Sequence, residues 1–120
     1  MKRSIAKGFT LVEIMIVVAI IGLIIAIAVP AFLRARENSR GRACQENLSK
    51  IDGAKEQYAL ENKLSNGGTA AMSNLVGSNR YLKSTPTCPG GGTYTEGAIG
   101  TNPTCSIGST NAGFEPHILQ

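Results

Sequence analysis

An apolar run near the start of the chain is the clearest pattern of hydrophobic and polar positions. Residues 14–29 read IMIVVAIIGLIIAIAV, and between Phe9 and Leu33 the only charged side chain is that of Glu13. A helix over residues 9–33 would be about 37 Å long, at a rise of about 1.5 Å per residue. This length exceeds the hydrocarbon thickness of a bilayer, which is about 30 Å. The pattern therefore predicts a membrane-spanning helix.

A second pattern with helical period follows, in a segment that is mostly charged and polar. Its apolar positions are spaced by 4, 3, 3 and 4 residues and would form a stripe on one helix face: Cys44, Leu48, Ile51, Ala54 and Tyr58. We therefore predict that the helix continues through an amphipathic extension, residues 34–64, to about Lys63. Asn66, Gly67 and Gly68 provide the signal that ends it.

The residues that follow, 65–120, are rich in Gly, Thr and Pro. Thr69 is placed to cap the N-terminus of a short helix that extends to Val76. Residues 93–95 and 105–107 read as short strands between glycine-rich turns. We therefore predict a small head with an antiparallel hairpin or sheet, packed on the apolar stripe. The predicted fold class is α+β, with a long N-terminal helix and a small β head.

Charge is distributed unevenly along the chain. The 120 residues carry a formal charge of +4, from 12 basic and 8 acidic side chains. Lys2, Arg3 and Lys7 precede the apolar run without any acid, so the positive-inside rule places the N-terminus in the cytoplasm and the head outside. Four basic residues follow the run and are expected to contact lipid phosphates or acids of a neighbouring protein: Arg34, Arg36, Arg40 and Arg42. Nucleic acid is not expected as a partner, because no aromatic residues lie between these arginines.

The apolar run has three interpretations. A secretory signal peptide would end at the A-x-A site of residues 26–28, but Pro30 lies at an unfavourable position just after that cut. A plain membrane anchor would contain Glu13, although a carboxylate inside a membrane helix costs up to about 3 kcal/mol on insertion scales. The third interpretation gives Glu13 a partner, and it depends on the residues around Gly8.

Residues 7–13 read KGFTLVE and resemble the leader junction of the type IV pilin superfamily, which includes type IV pilins and the pseudopilins of type II secretion. The resemblance implies that residues 1–8 are a leader, which a prepilin peptidase removes between Gly8 and Phe9. It also implies methylation of the new amine at Phe9. Residues 9–33 would then be both the membrane anchor and the assembly helix.

Glu13 acquires a role under this resemblance. No Lys or Arg follows it before Arg34, so its partner must come from another molecule. The amine of Phe9 in a neighbouring subunit would meet Glu13 when helices stack with an axial stagger, because an ion pair in an apolar bundle is favoured over two unpaired charges. Gly22 and Pro30 weaken the helix between them. They are either simply tolerated, as in other membrane helices, or they allow local loosening on assembly.

The function that the resemblance implies is structural, and we expect no enzyme activity because no nucleophile motif accompanies the single histidine. The chain would be a filament subunit, either a type II secretion pseudopilin or a short major type IV pilin. Its partners would be further copies of the chain, prepilin peptidase, an inner-membrane assembly platform and membrane lipid. It would cross the inner membrane once and then enter a periplasmic or extracellular filament. The alternative is a Sec-exported or membrane-anchored small binding protein that holds a structural zinc ion.

Three cysteines lie in the part that is predicted to be outside the membrane, where disulfides persist. A disulfide between Cys88 and Cys105 would close a loop of about 17 residues and stabilise the head by about 3 kcal/mol. Cys44 would then be a buried thiol on the apolar stripe. Pairing of Cys44 with either of the other two would instead connect the head to the helix.

No cofactor is expected. The alternative is a zinc site of three thiolates and one imidazole, without the usual C-x2-C spacing, formed by Cys44, Cys88, Cys105 and His117. We expect His117 itself to face solvent in the C-terminal tail. The major pseudopilins bind calcium through acids of their C-terminal loop, but the region past Lys83 contains only Glu96 and Glu115. A calcium site is therefore not favoured.

Overall fold

One long helix and a small sheet form the secondary structure. The structure is a computed structural model that describes residues 7–109 and 113–120. The predicted leader residues 1–6, which include Lys2 and Arg3, lie outside the described residues. The elements in chain order are α1 (Leu11–Asn62), α2 (Met72–Leu75), β1 (Tyr94–Thr95), β2 (Thr104–Gly108) and β3 (His117–Ile118). The strands form one antiparallel sheet in the order β1-β2-β3, and the predicted α+β fold is confirmed.

Thr10 caps the N-terminus of α1. Its hydroxyl oxygen Oγ1 accepts a hydrogen bond from the backbone N–H of Glu13 at 3.2 Å. This bond satisfies one of the four backbone donors that a helix leaves free at its start. The T-x-x-E pattern of residues 10–13 is a sequence signal for a helix start, so α1 begins directly after the predicted cleavage site.

A residue in the left-handed conformation ends α1. Lys63 has a φ of 52°, and its N–H donates to the carbonyl of Leu60 at 3.4 Å. The N–H of Leu64 donates to the carbonyl of Ala59 at 2.9 Å. The two bonds form a Schellman-type cap, which satisfies carbonyls at the helix end. The helix thus ends where it was predicted to end, but Lys63 provides the stop and not the glycines at 67–68.

The chain divides into two compact units, Met1–Arg34 and Ala35–Gln120. Every described residue of the first unit is exposed, and the large apolar side chains of residues 9–33 have exposed fractions of 47% to 80%. This part of α1 is long and apolar enough to cross a membrane. The helix runs through Pro30 without a break.

The second unit buries two clusters against its part of α1. The first cluster is aliphatic and includes Ala54, Ala59, Ala70, Leu75 and Ile99, with the rings of Tyr58 and Tyr81 at its edge. The second cluster contains three thiols and includes Cys44, Leu48, Cys88 and Cys105. Both clusters use the predicted stripe, because the period of α1 brings every third or fourth residue to the same face.

Two details of the head differ from the prediction. Thr69 does not cap α2, since its backbone pairs with that of Ala98 and α2 begins only at Met72. The N–H of Met72 donates instead to Glu96 Oε1 at 3.0 Å, so a carboxylate from a distant loop replaces the local cap. The sheet also has a third strand, β3, which is too short at two residues to give a periodic signal.

Candidate functional site

The predicted processing site lies just before α1. Gly8 and Phe9 are both exposed, and a β-carbon added at Gly8 would meet no atom within 4 Å. Glu13 lies in the first helical turn and is also exposed. Within residues 7–109 and 113–120, the carboxylate of Glu13 forms no ion pair.

The second site is a buried group of sulfur and nitrogen atoms in the second unit. One ligand atom from each of four residues lies within 4.8 Å of the other three, and these residues are Cys44, Cys88, Cys105 and His117. Their exposed fractions are between 0% and 8%. The sulfur of Cys88 is 3.3 Å from Nδ1 of His117. The four residues of the alternative zinc set are therefore brought together.

Four different segments supply these side chains. Cys44 is on α1, Cys88 precedes β1, Cys105 is on β2 and His117 is on β3. Because the segments are far apart in the chain, no short Cys-x-x-Cys motif marks the site in the sequence. In the sequence, the strongest signal for this site is the position of Cys44 on the apolar stripe.

The prediction that His117 faces solvent is wrong, since only 1% of its surface is exposed. Two hydrogen bonds dock the segment before it onto α1. Gln45 Nε2 donates to the carbonyl of Pro116 at 2.8 Å, and the N–H of Glu115 donates to Asn38 Oδ1 at 3.1 Å. These contacts turn His117 inward, towards the three thiols.

Three glycines allow the close approaches around this site. A β-carbon at Gly41 would lie 2.4 Å from the carbonyl oxygen of Glu115, so the docked segment needs glycine on α1. A β-carbon at Gly90 would lie 2.8 Å from Cε1 of His117, and one at Gly92 would lie 2.7 Å from the sulfur of Cys105. The loop that carries Cys88 can therefore wrap the site only because these positions lack side chains.

The thiols differ in how readily they ionise. Burial raises the pKa of Cys44 to about 12, although a hydrogen bond with Tyr94 opposes the shift. Burial also acts to raise the pKa of Cys88, but hydrogen bonds with the backbone of Gly92 and Gly90 and with the thiols of Cys105 and Cys44 together outweigh it, and the pKa is lowered. The loop after Cys88 thus favours a thiolate, which is the form of cysteine that binds metal.

All three cysteines are free. The disulfide between Cys88 and Cys105 stays a prediction, because the structure brings both sulfurs to the same buried cluster without a bond between them. The chemistry of the cluster is therefore that of three thiols and an imidazole.

Lys55 is a buried charge that sequence reasoning missed. Its side chain has no exposed surface. The ammonium Nζ donates to the carbonyl oxygens of Glu96, at 2.8 Å, and of Thr101, and it lies 3.6 Å from Asp52 Oδ1. Lys55 is four residues after Ile51 and therefore lies beside the predicted stripe, and that spacing is the available signal in the sequence.

The two acids past Lys83 have partners within the described residues. Glu96 uses its carboxylate to cap α2, and Glu115 lies 3.5 Å from Arg42 in an ion pair. Among the described residues, the Cys and His cluster is the group with metal-ligand geometry.

The described residues thus combine an exposed apolar helix, long enough to cross a membrane, with a small folded head in the second unit. Residues 3–29 match the family described as the prokaryotic N-terminal methylation motif. The chain is 30% identical over 113 residues to the type II secretion system core protein G of Pseudomonas aeruginosa, covering 84% of this chain and 80% of that protein. On these matches, the chain belongs to the type IV pilin superfamily.

The chain is also similar to type IV pilins over part of their length. The chain is 36% identical over 81 residues to the type IV wide pilus major component PilA4 of Thermus thermophilus, covering 68% of this chain and 58% of that protein. It is 42% identical over 55 residues to the type IV major pilin protein PilA of Myxococcus xanthus, covering 46% of this chain and 25% of that protein. The chain thus spans between a quarter and about three fifths of these two pilins. No solved structure gives a significant match.

Proposed function

We propose that the chain is a structural subunit of a type IV-like filament, without enzyme activity, that polymerises through residues 9–33. The observation that carries the proposal is the exposure of 47% to 80% of every large apolar side chain in this segment. So large an apolar surface is not stable in water. Lipid covers it before assembly, and the helices of neighbouring subunits cover it in the filament.

Processing at the junction follows from the same proposal. A prepilin peptidase cuts between Gly8 and Phe9 and methylates the amine of Phe9. The match of residues 3–29 to a methylation motif supports this step, as does the exposed backbone at Gly8, which leaves the peptide accessible. Because Thr10 caps the helix, the new N-terminus lies directly beside the first turn.

Glu13 sets the axial register between subunits. Its carboxylate has no ion-pair partner within the described residues, and an unpaired carboxylate in an apolar environment is costly. Cleavage creates a positive amine at Phe9, and the amine of one subunit pairs with Glu13 of the next. Gly22 and Pro30 lie in the part of α1 that is free to loosen during this packing, since Pro30 removes a backbone donor from the helix.

Before assembly the subunit lies in the inner membrane with its N-terminus in the cytoplasm. It contacts an assembly platform in that membrane and then enters a periplasmic or extracellular filament. Two of the four arginines after the apolar segment are paired within the chain, Arg40 with Glu37 at 2.7 Å and Arg42 with Glu115 at 3.5 Å. Arg34 and Arg36 form no ion pair among the described residues, and lipid phosphates at the membrane surface are suitable partners for them.

The share of each relative that the matches cover favours a pseudopilin over a pilin, because the match to core protein G includes 80% of that relative.

The mature N-terminus tests the proposal. The chain is produced in cells that contain a prepilin peptidase, and the purified protein is examined by peptide mass spectrometry. We expect a first residue of N-methylated Phe9. A start at Val29 would identify a cleaved signal peptide, and an intact start at Met1 would identify a plain anchor. Either result would overturn the proposal.

A further inference from the structure

The cysteine and histidine cluster belongs to the second unit and lies outside residues 9–33, the segment to which we assign polymerisation. We propose that it binds one Zn²⁺ ion as a closed structural site, with the sulfurs of Cys44, Cys88 and Cys105 and Nδ1 of His117 as the four ligands. The proposal does not depend on the filament function, because all four ligands belong to the second unit, Ala35–Gln120.

The distances between the ligand atoms support a tetrahedral site. With Zn–S bonds of about 2.3 Å and a Zn–N bond of about 2.0–2.1 Å, the edges of the tetrahedron are about 3.8 Å between sulfurs and about 3.6 Å between sulfur and nitrogen. The sulfur of Cys88 is 3.3 Å from Nδ1 of His117, and all four atoms lie within 4.8 Å of one another. The widest pair needs to approach by only about 1 Å to reach the zinc geometry.

The composition of the two head clusters shows that this one is not ordinary core. The cluster around Leu75 is aliphatic and aromatic. In the other, three of the four buried residues are cysteines, and the imidazole of His117 lies against Cys88. A thiol packs as a small apolar group, but an imidazole is buried only with polar partners. Three sulfurs around a buried imidazole supply such partners best when a metal joins them.

Donors around the cluster suit a negatively charged site. Three thiolates with Zn²⁺ carry a net charge of −1, which hydrogen bonds to sulfur reduce. The backbone of Gly90 and Gly92 hydrogen-bonds to Cys88, and Tyr94 hydrogen-bonds to Cys44. Asn47 Nδ2 donates to the hydroxyl of Tyr94 at 3.2 Å and so orients it. Such outer contacts fix the ligands of metal sites in position.

The chemistry of the ligand set selects zinc and a structural role. Three sulfurs and one nitrogen in a tetrahedron are typical of structural Zn²⁺ sites, whereas Ca²⁺ and Mg²⁺ require oxygen. The four ligands are all buried, which leaves no open position for water or substrate. The ion joins α1, the loop before β1, β2 and β3, and a head this small needs such a cross-link.

The test uses the full-length chain, purified in detergent with the thiols kept reduced and with zinc supplied during expression. We expect one zinc per chain by elemental analysis, and intense tetrahedral d–d bands with thiolate charge-transfer bands after exchange for Co²⁺. Removal of zinc with a chelator should lower the melting temperature of the head by more than about 10 °C, because metal binding is coupled to folding.

Two substitutions of the same residue separate a ligand from a packing role. His117→Asn should lose the Co²⁺ spectrum and weaken zinc binding on the order of 100-fold or more, since a ligand is worth at least as much as its outer contacts. His117→Cys restores a fourth donor and should bind Co²⁺ with charge-transfer bands stronger by about a third, because four thiolates replace three. Ile118→Asn, which places the same amide at the next position of β3, should bind zinc as the unaltered chain does.

Three results would overturn the proposal. The first is reduced protein that holds no zinc and gives no tetrahedral Co²⁺ spectrum. The second is a disulfide between two of the cysteines, with one free thiol, in a parallel preparation made with neither reductant nor oxidant. The third is iron in place of zinc, which would refute the identity of the ion.

Discussion

Two segments of helix α1, residues 11–34 and residues 41–59, differ in the burial of their apolar side chains. In the first segment no residue is buried, and apolar residues occur on every side of the helix. In the second segment the buried residues lie on one face and are Gly41, Cys44, Leu48, Ile51, Ala54, Lys55 and Ala59. The second segment completes its packing within the chain, whereas the first requires lipid or other subunits.

The same contrast holds for one charged residue in each segment. Lys55 is buried, and the chain itself supplies its partners, the carbonyls of Glu96 and Thr101 and the carboxylate of Asp52. Glu13 has no ion-pair partner among the described residues. A charge in an apolar environment therefore has a structural role when the chain itself supplies its partner, and it points to assembly when the chain does not.

The largest effect is expected from removal of the Glu13 carboxylate, which has no ion-pair partner among the described residues. Glu13→Ala should still insert into the membrane and be cleaved after Gly8, but filament yield should fall by more than about tenfold. Loss of one partner of a buried ion pair costs about 3–5 kcal/mol, because the amine at Phe9 remains unpaired. Sheared filaments and processed subunits are quantified from the same cells.

Glu56→Ala is the matched control for this substitution. Glu56 is exposed on α1 in the second unit, and its loss should leave filament yield unchanged. Filaments of Glu13→Ala at the level of the unaltered chain would remove the proposed distinction between Glu13 and Lys55.

Lys55→Met tests the buried charge that has its partners within the chain. The substitution keeps the apolar stem but leaves the carbonyls of Glu96 and Thr101 without their donor, so we expect the free energy of unfolding to fall by about 2–3 kcal/mol. Tyrosine fluorescence during urea unfolding measures this change in the second unit alone, because the three tyrosines, at positions 58, 81 and 94, all lie there. Cleavage after Gly8 should be unaffected.

Lys50→Met serves as its control. Lys50 pairs with Glu46 on an exposed face, and such surface pairs contribute at most about 1 kcal/mol. Equal urea midpoints for the two variants would contradict the structural role of Lys55.

A smaller effect is expected where the segment before β3 meets α1. In Gly41→Ala, the new β-carbon would lie 2.4 Å from the carbonyl oxygen of Glu115, so the segment must shift, at a cost of about 1–3 kcal/mol. Gly53→Ala is the control, since a β-carbon there meets nothing within 4 Å and should stabilise the helix by up to about 1 kcal/mol. Equal stability changes in Gly41→Ala and Gly53→Ala would show that β3 is not held by this contact.

The periodicity of the sequence predicts features that depend on residues close together in the chain. It does not predict features that depend on contacts between distant segments. The apolar segment and the stripe from Cys44 to Ala54 could be read from the sequence because each depends on residues three or four positions apart. The inward position of His117 could not, because Asn38 and Gln45 create it from more than 70 residues away. The sequence predicts the four-residue cluster only as an alternative, since no spacing rule joins residues on four separate segments.

The caps of the two helices show the same limit on a smaller scale. Thr10 and Glu13 form a local pattern that marks the start of α1 correctly. Thr69 has the right residue type for a cap, but its backbone is taken by the bridge to Ala98, and Glu96 caps α2 from 24 residues away. Tertiary contacts thus override a local signal where the local element is only four residues long.

The smallest effect is expected where α1 ends. Lys63 has a φ of 52°, a conformation that costs a residue with a β-carbon about 1 kcal/mol. Lys63→Gly should therefore raise the free energy of unfolding by about 0.5–1 kcal/mol, less the entropy that glycine adds to the unfolded chain. Lys50→Gly, the same change inside the helix, should lower it by about 1 kcal/mol. Opposite signs in the urea midpoints, with no change in cleavage after Gly8, are the expected result. If both variants lose stability, Lys63 does not form the cap, and the second segment of α1 depends on the glycines at 67–68 for its end.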